Sequence, residues 1–130
     1  GRTPQDTVLL AASFMREGKT RELFALYDKK YKRLYEGWAT KIGAGSADGF
    51  FALKMNALIS RARNTRLLEG VSASDLQTQL NGDTAIVRTG VQMPDIVEFE
   101  SDFYVIREHG LWKLTMPDNH RTRAEQAINR

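Results

Sequence analysis

The chain of 130 residues contains no cysteine. That excludes disulfides, thiolate metal sites and a cysteine nucleophile, and it leaves the redox compartment open. Long apolar runs are also missing, so no transmembrane helix, which needs about 20 consecutive apolar residues, is expected. Histidine is scarce. His109 lies in a turn sequence and His120 in a polar stretch near the C-terminus. Neither has a carboxylate or second histidine at ligand spacing, so both are expected exposed. Gly43-Ala44-Gly45-Ser46 is rich in glycine, but the lysine followed by serine or threonine that a phosphate loop requires is absent. These absences leave no metal site and no cofactor to expect, and no catalytic or nucleotide motif.

What is present is ordinary for a soluble globular protein: 42% apolar and 27% charged residues, enough for one domain over 1–130 with its own core. Gly1-Arg2-Thr3-Pro4 opens the chain without a methionine. Gly1 reads as a tag scar and the protein as an exported one, periplasmic or secreted. The net charge of +3 hides an asymmetry, with +7 on residues 1–66 and −4 on residues 67–130. A basic half can attract anions, nucleic acid or anionic lipid. Long Lys and Arg side chains solvating helix faces explain it more simply.

The first half reads as helices. Thr3 is placed to cap a helix with Pro4 at its first position and Asp6 in its first turn. Val8, Ala11, Ala12 and Met15 share a face, with Phe14 beside it, and Gly18 is the expected stop. From about Thr20, Leu23, Tyr27, Tyr31, Leu34 and Trp38 recur at helical spacing and predict a second helix buried along one stripe. Lys29, Lys30, Lys32 and Arg33 interrupt that stripe and must face water. After a loop at 42–46, Ser46 or Asp48 can cap a third helix carrying Phe51, Met55, Leu58, Ile59 and Ala62. Stacking on nucleic acid needs exposed aromatics, and this stripe reads as core, so no nucleic-acid partner is expected.

The second half alternates apolar and polar residues and predicts short antiparallel strands. A first strand is sought within 67–80, where Val71, Ala73 and Asp75 alternate with Ser72, Ser74 and Leu76. After Asn81-Gly82-Asp83, a second strand puts Ala85, Val87, Thr89, Val91 and Met93 on one face, and Thr84, Ile86, Arg88 and Gln92 on the other. Pro94-Asp95 ends it. A long third strand points Val97, Phe99, Ser101, Phe103 and Val105 inward, and Glu98, Glu100, Asp102 and Tyr104 outward. His109-Gly110 turns into a last strand with Trp112, Leu114 and Met116 on one face. Pro117-Asp118 closes the sheet, and residues from about 118 form a basic tail, a short helix or disordered. Helices first and an antiparallel sheet afterwards make this an α+β fold of about four strands.

Several local runs carry a family resemblance. They are Phe14-Met15-Arg16-Glu17-Gly18-Lys19, a helix through Leu23 and Leu26, Asn81-Gly82-Asp83-Thr84-Ala85-Ile86-Val87, and Phe103 through Leu114 with its Gly110-Leu111-Trp112-Lys113-Leu114. In this order the chain resembles the nuclear transport factor 2-like superfamily. The resemblance implies a curved sheet wrapped by helices, a cone with an apolar cavity, and a function set by whatever lines it. Thr89, Phe99, Ser101, Phe103 and Trp112 are the expected ligand-binding residues: aromatics for the walls and two hydroxyls for polar contacts.

Three readings follow. The first is a non-catalytic domain that binds a small apolar ligand or a protein. The second is an isomerase- or dehydratase-type enzyme using Asp102 and Tyr104, which share a strand face as an acid-base pair requires. The third is a periplasmic interaction domain of a secretion or conjugation assembly, since such domains share this fold. Glu98, Glu100 and Asp102 stand about 7 Å apart along one strand, too far to converge on a metal. A solvated or salt-bridged outer face explains them. With Ile96, Tyr104 and Ile106 beside them, and Arg88, Arg107 and Lys113 as basic partners, they predict a homodimer through the convex sheet.

Overall fold

The computed structural model describes residues 2–61, 72–89, 102–116 and 126, and among these four helices precede a four-stranded antiparallel sheet. Helix α1 (Pro4–Glu17) begins where the Thr3 side chain accepts the Asp6 N–H at 3.0 Å. It ends at Gly18, whose φ of 70° lets its own N–H and that of Lys19 turn back onto the carbonyls of Met15 and Phe14. Both ends are legible in the residues that form them. Val8, Ala11, Ala12 and Met15 are buried against the sheet. Removing a Val or Met side chain from water contributes about 1.5–3 kcal/mol, so this face anchors α1.

The expected second helix is in fact two. Helix α2 (Thr20–Ala25) stops, and helix α3 (Lys29–Ile42) starts afresh at Asp28, whose Oδ1 accepts the Tyr31 N–H at 3.2 Å. An aspartate cap outcompetes continuation because it satisfies a donor that a helix start leaves open. The apolar stripe survives the break: Leu23, Tyr31 and Leu34 are buried, while Tyr27 and Trp38 are half-buried. Helix α4 (Ala47–Arg61) follows Gly43, which has a φ of 75°, and Ser46 is the residue that caps it, through the Gly49 N–H at 3.2 Å. Lys54 lies 3.8 Å above the Trp38 ring, a cation–π contact that ties α4 to α3.

The strands are β1 (Gln77–Asn81), β2 (Thr84–Arg88), β3 (Asp102–Glu108) and β4 (Leu111–Thr115), joined in sequence order as a meander. The β1–β2 turn uses Gly82 at φ 63°, and the β3–β4 turn places both His109 (54°) and Gly110 (79°) in the left-handed region. Residues 73–75 form a 3-10 turn rather than the expected strand. Asp75 Oδ2 accepts both the N–H and the hydroxyl of Ser72 at 3.0 Å, which fixes that turn. Leu58 and Ala62, and the predicted strand positions at 90–101, lie outside the described side chains and residues, as does the tail from 117 apart from Gln126.

Registry divides the sheet cleanly. Val105 faces Ala85 and Leu114, and all three are buried beneath α1. This inner face also holds Thr78, Val87, Phe103 and Trp112. The outer face holds Arg88, Ile86 and Thr84 on β2, with Asp102, Tyr104, Ile106 and Glu108 on β3. Arg107 corrects an expectation: it lies on the inner-face side, opposite Trp112, and binds Asp83 through Nε (3.0 Å) and Nη2 (2.6 Å). It is therefore no partner for the acids of the outer face. At the β4 edge the α2–α3 connector adds a parallel bridge, Tyr27 to Leu114, with Asp28 N–H donating to the Leu114 carbonyl and Leu114 N–H to that of Leu26, each 2.8 Å. That connector covers an edge which would otherwise present unpaired donors and acceptors.

Candidate functional site

The inner face is built in rows. Thr78, Val87 and Phe103 form one; Leu80, Ala85, Val105 and Leu114 form the next; Arg107 and Trp112 form the last. Leu76, just before β1, and Thr89, just after β2, extend the face past the Thr78 row, and both are buried. The structure thus brings Thr89 and Phe103 to one end of the inner face. Trp112 sits at the other, two rows or roughly 13 Å away along the strands. Its side chain is 6% exposed and packs in the core, and its carbonyl accepts the Thr7 hydroxyl at 2.9 Å. Phe99 and Ser101 lie outside the described residues.

One atom at the Thr89 end stands out. The Thr78 Oγ1 is buried and has no hydrogen-bond partner, alone in this among the described side chains. An unmet buried hydroxyl costs about 1–3 kcal/mol, so the large majority of buried polar groups in native proteins have a partner. Thr78 carries no clear strand signal in the sequence, because with Gln77 and Gln79 it dilutes the alternation. Its signal was its place between Leu76 and Leu80, a polar residue on the apolar face.

Asp102 and Tyr104 both lie on the outer face, half-buried. Asp102 Oδ2 is 3.6 Å from Arg88 Nε, and Arg88 Nη1 donates to Gln79 Oε1 at 3.3 Å. The sheet therefore separates this pair from the interior. At the β4 edge, the buried carboxylate among the described residues is Asp28, and it is engaged at both oxygens: Tyr31 N–H on one and the Thr115 hydroxyl, at 2.9 Å, on the other.

The interior also holds an aromatic wall. Tyr27 and Tyr31 stack with ring centroids 3.8 Å apart, Tyr35 follows at 5.1 Å from Tyr31, and Phe51 meets all three edge-on. Tyr35 was not singled out by the stripe, yet it completes this ladder at the next helical step. Burial, and then the neighbouring phenols, hold the Tyr31 hydroxyl well above its ordinary value of 10.0. The Tyr27 hydroxyl is raised as well, chiefly by burial, although part of that residue's surface reaches water.

This shift has a consequence for alkaline stability. The folded pKa values lie above the unfolded ones, so the contribution is complete below pH 10 and is lost as pH rises from 10 upward. Each phenol adds a slope of about 1.4 kcal/mol per pH unit, or ~2.7 for the pair. In an alkaline titration, two of the four tyrosines should ionise only together with the loss of helical circular dichroism. Phenolate absorbance reaching its full value while the helical signal is intact would contradict this.

No protein-family model matches the chain, and neither a characterised protein nor a solved structure matches it.

Proposed function

We propose that this domain binds, without chemistry of its own, a small and mostly apolar ligand at the end of the inner sheet face lined by Leu76, Thr78, Val87, Thr89 and Phe103. The observation that carries the reading is the buried Thr78 hydroxyl without a partner. A ligand carrying a hydrogen-bond acceptor would relieve that penalty, while Phe103 and Val87 supply apolar contact. The order of elements, helices first and then an antiparallel meander with α1 on one face, supports membership of the nuclear transport factor 2-like superfamily, whose cavity lies between helices and sheet. The outer-face position of Asp102, beside Arg88, favours binding over an isomerase- or dehydratase-type reaction, because that reaction needs its carboxylate inside.

The test uses Nile red, an apolar dye with a carbonyl acceptor. Saturable blue-shifted fluorescence is expected with the folded protein. Thr78→Val should weaken it about 3- to 10-fold, the worth of one hydrogen bond. The same substitution should leave the free protein as stable or more so, since it removes an unmet polar group. Dye binding equal in wild type and Thr78→Val, or a variant clearly less stable than wild type, would sink the proposal.

A further inference from the structure

Helix α4 meets water with little charge. Between Asp48 and Arg61 its one charged residue is Lys54. A surface helix normally turns charged and polar residues outward, yet Leu53 is 73% exposed, and so is 55% of Ile42 at the end of α3. Helical spacing sets Ile42 one turn beyond Trp38 on α3, and Leu53 one turn beyond Phe50 on α4. Trp38 and Phe50 are half-buried, and their rings meet at 5.1 Å between centroids, nearly perpendicular. That contact joins the two pairs into one apolar patch across the α3–α4 hairpin. The charge around the patch has one sign. Lys54 Nζ lies 3.8 Å above the Trp38 ring and 5.8 Å from that of Phe50, and the exposed Lys41 precedes Ile42. The acid at the start of α4, Asp48, is paired with Arg21 at 3.6 Å. Glu36, two positions before Trp38, falls on the opposite side of α3. Residues 29–61 together carry seven Lys/Arg against two Asp/Glu.

We infer that this hairpin docks on an anionic lipid surface. Leu53 and Ile42 enter the boundary between headgroups and acyl chains, and Trp38 lies at headgroup level, where its amphipathic ring is most at ease. Lys41 and Lys54 reach the lipid phosphates, with their stems lying along the apolar patch. Charge complementarity selects this partner. A second copy of the chain would need both signs on the same patch, and here the flanking charge is positive. An acidic protein would match that sign, but such interfaces favour the planar fork of arginine, and the cations beside this patch are lysines. None of the described helices is long and apolar enough to cross a membrane, so the contact is peripheral. Apolar burial and basic attraction are each weak alone, and together they give reversible binding. No residue of the patch belongs to the Thr78 end of the sheet, so the inference stands apart from the ligand reading.

Flotation of the full chain with large unilamellar vesicles tests this. Binding is expected to vesicles made of equal parts phosphatidylglycerol and phosphatidylcholine. It should be about 10-fold or more weaker to phosphatidylcholine alone, and should fall as salt is added. Trp38 reports the contact, because the other tryptophan, Trp112, is 6% exposed and packs in the core. Vesicles should shift the emission to the blue, lipids with brominated chains should quench it, and both responses should vanish in Trp38→Phe. Leu53→Glu should weaken binding by about 10-fold or more. Lys41→Gln should weaken it about 5-fold, the worth of one basic residue at an anionic surface. Lys30→Gln, roughly 16 Å back along α3, should change it by less than about 2-fold, since salt screens over that distance. These positions are exposed, and circular dichroism will establish that each variant is folded. Absence of binding, equal binding to both compositions, or indifference to Leu53→Glu overturns the inference. So do equal losses from Lys30→Gln and Lys41→Gln, which would mean attraction by net charge without docking. Self-association that Leu53→Glu abolishes, in a chain that ignores vesicles, gives the patch to a second copy and overturns it as well.

Discussion

Phe51→Ala should lower stability by about 4 kcal/mol, within the 3–5 kcal/mol typical of deleting a buried phenylalanine. The ring is fully buried and touches four others: Phe24 at 5.0 Å, Tyr35 at 5.4 Å, Tyr27 at 5.8 Å and Tyr31 at 6.3 Å between centroids. Three of those contacts are edge-on, the arrangement that adds about 0.5–1.5 kcal/mol per pair beyond simple burial. These neighbours come from α2, the connector and α3, so they cannot all move together to refill the space. A domain of this size is stable by about 5–15 kcal/mol in total, so the variant will be near its unfolding threshold. Urea denaturation measures this directly, and near-ultraviolet circular dichroism should show the tyrosine signal weakened. Phe51→Leu should cost much less. A Phe51→Ala loss under about 2 kcal/mol would mean that the aromatic wall collapses freely, against the geometry described.

What the sequence made legible follows the range of the interactions involved. Thr3, Pro4, Gly18 and Gly82 act through neighbours within a few residues, and each does in the structure what its chemistry predicts. The alternation of Ala85, Val87 and Val105 against Ile86, Tyr104 and Ile106 sorted the two sheet faces, because a two-residue period needs no partner to be seen. The strand β1 was hard to find for a physical reason. Among the described strands it lies at the edge, with four of its five residues exposed, so selection for apolar residues there is weak.

Contacts between distant segments were not legible. The hydroxyl of Thr7 reaches the Trp112 carbonyl across 105 positions, and nothing local to either residue announces it. Arg107 alternates as though it belonged with Val105, and it does share that side, but Asp83 draws it to the rim. Among candidate site residues, alternation placed Thr89 and Phe103 correctly on one face. Distance along the strands, which alternation ignores, separates them from Trp112. Thr78 lies between Leu76 and Leu80 on the apolar face, but the glutamines beside it weaken that alternation, and its unmet hydrogen bond shows only in three dimensions.

Asp28→Ala should cost about 3 kcal/mol, and it tests the nonlocal link that the helical stripe concealed. The residue is 3% exposed and joins three elements at once. Its Oδ1 caps α3 through the Tyr31 N–H, its Oδ2 accepts the Thr115 hydroxyl, and its backbone N–H extends the β4 edge. Alanine keeps the backbone bond and loses both side-chain bonds. Loss of the cap alone costs about 1–2 kcal/mol. Leaving the Thr115 hydroxyl without its charged partner adds about 1–2 more. Asn should retain most of the stability, because its oxygen can still cap α3 while its amide donates to the Thr115 oxygen. A double-mutant cycle with Thr115→Val isolates the link between helix and sheet, and its coupling should be about 1 kcal/mol or more. Were Asp28→Ala within about 0.5 kcal/mol of wild type, or the coupling indistinguishable from zero, the break between α2 and α3 would owe nothing to this carboxylate. The alternative is then that pairing of Tyr27 with Leu114 alone interrupts the helix. Changing Asp28 would in that case leave both the helix break and the sheet edge intact.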